Sequence, residues 1–426
     1  MKRRLGTKRS KLPFDIPHPD SMTLREACHR GLKNQVDTVL AISPHVINDK
    51  NEDGHTGLHI AAASGNVDIV EILLAQGAQV DVLADLQWTP LHWGCQEGDV
   101  RVAKCLCSHG ADVNARTEEK QTPLHIAVGH SHELVAKCLI EHGAEVNTQD
   151  AEGATPLFLA TFNFSREIVK LLLERGASVD IGKENGATPL YRAAQAGHTD
   201  LVKLLLEHNA NTEIPFQHQV GSATPLFIAS QKGHTDIVQL LLESGAKANF
   251  ARTDGATSLL IAAVNGHTKV VELFLKHGAS AEAAFHCETG TASPLFVASQ
   301  NGHTDVARLL LEHGTDKEFR RENGATPLFM AAKFGHTDVV GLLLEHKANV
   351  NCRTDTLTTP LMAASFEGHV EVVMLLLANE ADFSLKDKSA KTAAMWARQR
   401  GHLAILHRLN KGRSNSLPVE HSAGLH

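Results

Sequence analysis

The sequence predicts an all-α solenoid of about twelve helix-turn-helix repeats joined by β-hairpin-like fingers, and three observations carry that prediction. A TPL-like motif recurs at positions 22, 56, 89, 122, 155, 188, 224, 257, 293, 326, 359 and 392, in steps of 33, 34 or 36 residues along a chain of 426. Self-similarity at a fixed period of about 20–50 residues marks stacked repeats. Within each unit the apolar residues follow helical spacing, as in Val202, Leu205 and Leu206, and aromatic residues make up only 4% of the chain. Small aliphatic side chains at that spacing suit thin helices pressed side by side.

The chain divides into three parts. Residues 1–20 hold Lys2, Arg3, Arg4, Lys8, Arg9 and Lys11 against Asp15 and Asp20, a net +4, and read as an unordered basic head. Residues 21–410 form the repeats, and residues 411–426 a short unordered tail with a net +1. Since the whole chain carries −7, the repeats carry −12, a field that disfavours nucleic acid as the main ligand.

Each repeat justifies its own elements. Thr opens the first helix as N-cap and Pro fills its first turn, where no N–H is needed. Leu and Ala give that helix a slim inward face. A Gly such as Gly65, Gly197 or Gly335 ends it, and a second helix closes at Gly143, Gly245 or Gly278; left-handed geometry is cheap there only for Gly. A hairpin-like finger leads onward. One unit cannot bury its own apolar face, so one curved stack is expected rather than several domains. The first unit, with Arg25, His29, Arg30 and Lys33, and the last, "TAAMWARQRGH", are polar in the way terminal caps require.

Units such as "ENGATPLYRAAQAGHTDLVKLLLEHNA" resemble the ankyrin repeat, whose signature is T-P-L-H-x-A on a period of 33. The resemblance implies a non-enzymatic scaffold or adaptor that binds other proteins on its finger tips and on the concave face of the first helices. A substrate-recognition adaptor for a ubiquitin ligase is the alternative reading. A nuclear-cytoplasmic binder directed by the basic head is another, which would add a nuclear pool to the expected cytoplasmic one.

On that face the early units offer Glu52, Asp53, Asp85, Trp88, Glu97, Glu118, Glu119 and Glu152, the middle offers Phe162 and Phe164, and the end offers Phe334, Phe366, Lys388, Lys391 and Arg400. This reads as an acidic, then apolar, then basic stripe. Trp88, Phe162, Phe164, Phe334 and Phe366 are the candidate partner-binding anchors, since aromatic rings amid charge are typical interface anchors. Phe162 and Phe164 stand in "TFNFSRE", where the helix-ending Gly is lost. Two steps of 36 place extra residues in the fingers around Pro215–His218 and Phe285–Glu288.

His59, His92 and His125 keep the family's histidine, whereas Phe158, Tyr191, Phe227, Leu260, Phe296, Phe329 and Met362 replace it; all are read as packing residues. His198, His234, His267, His303, His336, His369 and His402 recur once per unit after helix-ending glycines, which suits hydrogen bonds between turns rather than a metal with four converging ligands. Seven scattered cysteines suit reduced thiols. No phosphate loop, zinc-protease pair or GxSxG element is present, and neither catalytic residues nor a cofactor or metal is expected. No apolar run is long enough to span a bilayer. A monomer is expected. Asn114, Asn147, Asn249 and Asn351 end finger turns, each with Leu eight residues earlier, and resemble sites of the oxygen-dependent asparaginyl hydroxylase, which would then be a partner.

Overall fold

The computed structural model describes residues 22–218, 221–282, 285–287 and 290–415, with the side chains of 218, 285–287 and 411–415 excepted. The basic head at 1–20 and the tail beyond 415 lie outside the described residues. Twenty-four α-helices follow one another in pairs among these residues, from Leu24–Arg30 to Leu403–Asn415, so the last helix continues past position 410. They group into two compact units, one ending at Lys183 and one beginning at Glu184. In each unit the first helices of successive repeats pack together, and so do the second helices.

Local chemistry explains the boundaries. The Thr155 hydroxyl accepts from the Phe158 N–H at 3.2 Å, and the Thr188 hydroxyl from the Tyr191 N–H at 3.1 Å. The motif leucines Leu58, Leu91, Leu124, Leu157, Leu190, Leu226, Leu259, Leu295, Leu328 and Leu361 are buried. In the first unit the outward residues Arg25, Arg30 and Lys33 pair with the Asp49 carbonyl, Glu26 and Asp68 respectively.

Two chemistries join neighbouring repeats at the position after the motif leucine. His59, His92 and His125 are buried, and each Nδ1 accepts the N–H of its own N-cap threonine. Each Nε2–H then donates to a carbonyl of the next finger: Trp88 at 3.2 Å, Gln121 at 3.3 Å and Ala154 at 3.2 Å. Since a carbonyl only accepts and Nδ1 faces an N–H, the rings are neutral with the proton on Nε2. Burial drives the pKa of His59 and His92 down to about 4 and lowers that of His125. At three of the four phenylalanines that take the position a cation from the next finger lies over the ring: Lys183 over Phe158, Arg252 over Phe227 and Arg321 over Phe296, at 5.7, 5.0 and 5.4 Å; Phe329, with Thr354 at the matching place, is the exception.

The histidines that follow the end of the first helix, after glycine or, at His132, after Ser131, make a second seam. Nε2–H of His132, His267, His336, His369 and His402 donates to the carbonyls of Gln96, Gln231, Gln300, Lys333 and Phe366, at 2.9–3.2 Å. His303 reaches Val264 at 3.0 Å, three residues further back in sequence because that finger is longer. Each ring also covers the glycine of the preceding repeat; a Cβ on Gly302 would stand 2.5 Å from His336 Nδ1. Where Ser131 replaces glycine, the next repeat carries Ser165 instead of histidine, and the two hydroxyls meet at 2.9 Å.

The fingers are stapled at a spacing of 31 residues. Side-chain oxygens of Asn48, Asp81, Asn114, Asn147, Asn249 and Asn351 accept the backbone N–H of Gln79, Asp112, Glu145, Ser178, Ser280 and Asp382, at 2.7–3.0 Å. The two longer fingers use their extra residues to close short antiparallel strand pairs, Phe216–His218 with Gly221–Ala223 and Phe285–Cys287 with Gly290–Ala292. Phe216 stacks on Tyr191 at 4.8 Å.

Candidate protein-binding surface

In the first unit, Glu52, Asp53, Asp85, Glu97, Glu118, Glu119 and Glu152 are all exposed. Phe162 ends the first helix of the fifth repeat, Pro156–Phe162, and Phe164 follows in the turn after it; they remain 45% and 41% exposed. Phe164 holds φ +59° at the place where sister repeats carry glycine, an uncommon conformation for an aromatic residue. The structure therefore keeps the left-handed turn and hangs a ring on it.

Trp88 is half-buried and sits in a wall of rings: its centroid is 5.0 Å from Trp93 and 5.7 Å from His92, and Trp93 lies 5.3 Å from His55. The Nε1–H of Trp93 is buried without a protein acceptor among the described residues. Asp53 and Asp85 favour the protonated form of His55, but burial outweighs them and its pKa falls. Lys50, whose charge acts on His59, donates to the Leu83 carbonyl at 2.8 Å.

In the second unit Phe334 is 46% exposed, with Lys333 over its ring at 5.6 Å and His336 stacked at 6.4 Å. Phe366 is less available. It is half-buried, meets Trp396 edge-on at 5.2 Å, and carries Arg400 over its face at 4.5 Å. Trp396 is held harder still, since its Nε1–H donates to Asp387 Oδ2 at 2.8 Å and Lys391 Nζ lies 4.0 Å above the ring. Sequence reasoning passed over Trp93 and Trp396. Both stand four residues after an N-cap, where Ile60, Ile126 and Leu159 occupy the sister positions, so the motif alone does not set them apart.

Asn114, Asn147, Asn249 and Asn351 are the finger staples described above; the Asn114 and Asn147 amides also donate to the Gly143 and Gly176 carbonyls at 3.3 Å. Cys28, Cys95, Cys138 and Cys352 are buried free thiols, whereas Cys105 and Cys107 are half-exposed. A hydrogen bond from Cys107 and the neighbouring His142, whose Nδ1 is 3.8 Å away, favour the thiolate of Cys138. Among the described residues no three of His, Cys, Asp or Glu converge to hold a metal ion, and no helix is long and apolar enough to cross a membrane.

The family model for ankyrin repeats (3 copies) matches residues 24–117, 115–183, 179–252, 210–284, 245–321, 295–387 and 350–417. No curated protein matches the chain. The seven matched segments leave no gap between residues 24 and 417, and with the paired helices, threonine caps and fingers they show that the chain belongs to the ankyrin-repeat family.

Proposed function

We propose that the chain is a non-enzymatic scaffold or adaptor that captures other proteins on its finger tips and first-helix ends, and that it acts in the cytoplasm. The family supports a general role in protein-protein interaction, and because one fold hosts many functions the surface residues must specify the partner. The observation that carries the reading is the exposure of Phe162, Phe164 and Phe334 in a chain whose largest fully buried side chains include Phe227, Phe274 and Phe296. Large rings left at the surface and flanked by charge are the residues that dominate interfaces.

The test is affinity purification from cells with quantitative mass spectrometry, comparing the native chain with F162A/F164A/F334A. Loss of a defined set of partners supports the proposal, and an identical partner set overturns the anchor assignment. Trp88 and Phe366 belong in a second variant, because each packs on another ring. Asparagine hydroxylation belongs to the same proposal. The enzyme would have to lift an amide out of its staple, so one added oxygen on Asn114, Asn147, Asn249 or Asn351 after co-expression is the expected mark, and unmodified peptides would remove it.

A further inference from the structure

Repeats three and twelve place a tryptophan at the same position, Trp93 and Trp396, and the two are treated differently. Trp396 is complete within the chain: Asp387 takes its N–H and Lys391 covers its face. The equivalents of Asp387 and Lys391 in repeat three are Ala84 and Trp88. Trp93 thus has neither the acceptor nor the cation, and Trp88 extends the aromatic surface instead. No lysine or arginine lies over Trp88 or Trp93 among the described residues, although cations cover Phe158, Phe227, Phe296, Phe366 and Trp396. The fingers beside this wall add the exposed carboxylates of Asp53 and Asp85, which join no ion pair among the described residues.

We propose that the wall formed by Trp88, Trp93 and His55, flanked by Asp53 and Asp85, receives a lysine or arginine side chain presented by a basic, extended segment of a partner protein. Charge complementarity selects the occupant. The rings offer the negative faces that attract a cation, the carboxylates draw it in over a Debye length, and both repel phosphate-bearing ligands. Trp93 is not pinned by a hydrogen bond as Trp396 is, so its ring can adjust to the incoming group. The inference rests on the protein-binding reading above and names the chemistry of one partner contact.

The experiment uses the full-length chain with Trp396→Phe, so that fluorescence reports only Trp88 and Trp93. Twelve-residue Gly-Ser peptides carrying three arginines, three lysines or three glutamates are titrated in at low and at physiological salt. Saturable binding of the arginine and lysine peptides, weakened by salt and absent for the glutamate peptide, is expected. Asp53→Asn with Asp85→Asn should weaken binding about tenfold while leaving the melting transition in place, and Trp88→Leu should weaken it by a similar factor.

No binding to the native sites overturns the proposal, and so does binding that survives both variants, which would mark a diffuse acidic attraction. Binding seen only after the six basic residues of positions 2–11 are changed to Gln also overturns it, since the chain's own head would then be the occupant. The titration involves no cellular partner. Its failure beside partner loss in F162A/F164A/F334A therefore refutes this contact alone, whereas success beside an unchanged partner set refutes the phenylalanine anchors.

Discussion

Acidification should loosen the first unit through His59 and His92. Each ring is neutral in the fold, with Nδ1 facing a threonine N–H and Nε2–H on a carbonyl, and burial brings each pKa from the ordinary 6.5 to about 4. Between those values the unfolded chain binds more protons than the folded one, so stability is full above pH 6.5 and falls as pH drops toward 4. At pH 5 the linkage relation gives a loss of roughly 2 kcal/mol per histidine, or about 4 kcal/mol for the two. His55, His125 and His130 shift the same way, whereas Asp81 is raised by burial and opposes weakly at this pH. In the second unit Tyr191, Phe227, Leu260, Phe296, Phe329 and Met362 hold the equivalent positions and do not titrate in this range. The assay is urea unfolding of the Trp396→Phe chain at pH 7.5 and pH 5, followed by tryptophan emission from positions 88 and 93. With an m value of about 2–3 kcal/mol/M the midpoint should fall by roughly 1.5 M. Replacing His92 with Leu, the residue used at Leu260, should remove about half of that pH response. Equal midpoints at the two pH values, or an undiminished response in His59→Leu with His92→Leu, would refute the reasoning.

Three other outcomes follow from the seams and staples. Gly302→Ala and Gly314→Ala both place a side chain at positive φ, near +76° and +78°, a strain of roughly 1–2 kcal/mol. Only the first meets a neighbour, His336 at 2.5 Å, so thermal melts should show Gly302→Ala the more damaging by at least about 1 kcal/mol. Asn147→Ala removes the acceptor of the Ser178 N–H; it should cost about 1 kcal/mol and speed hydrogen exchange at the Ser178 amide, and unchanged protection would show the staple to be idle. Asp387→Ala deletes the partner of Trp396 Nε1 and of the Ser389 and Lys391 N–H groups, so a loss of about 2 kcal/mol and a red shift of Trp396 emission are expected in the last repeat.

What could be read in advance followed local rules. Threonine caps, prolines in first turns, glycines at helix ends and the period of 33 are each set by a few adjacent residues, and the structure places them where those rules put them. The histidines after the glycines were legible as links between turns, but not their acceptor, because the Gln300 carbonyl that receives His336 lies 36 residues away. A regularity was present and overlooked: Phe158, Phe227 and Phe296 are each followed after 25 residues by Lys183, Arg252 or Arg321, which is the spacing that lays a finger cation on the ring below. Phe366 illustrates the opposite error. Its sequence neighbourhood suggested an open anchor, yet Trp396 and Arg400 reach it from the next repeat. Exposure of an aromatic ring in a stacked array depends on the unit that follows, which no single motif reveals.

The histidine-over-glycine seam has a consequence for how such a chain can change length. From Gly98 onward each repeat ending in glycine meets a histidine at the start of its neighbour's second helix, whereas Gly31 and Gly65 meet Asn66 and Asp99, and the repeat ending at Ser131 meets Ser165. The ends are therefore keyed. Duplicating or excising a unit between two glycine-histidine junctions leaves every junction matched. Moving a unit across the serine junction would set an imidazole against a seryl side chain where the glycine's open space is missing. Recombination within the array is channelled along compatible edges, so the repeats are interchangeable in blocks and not one by one.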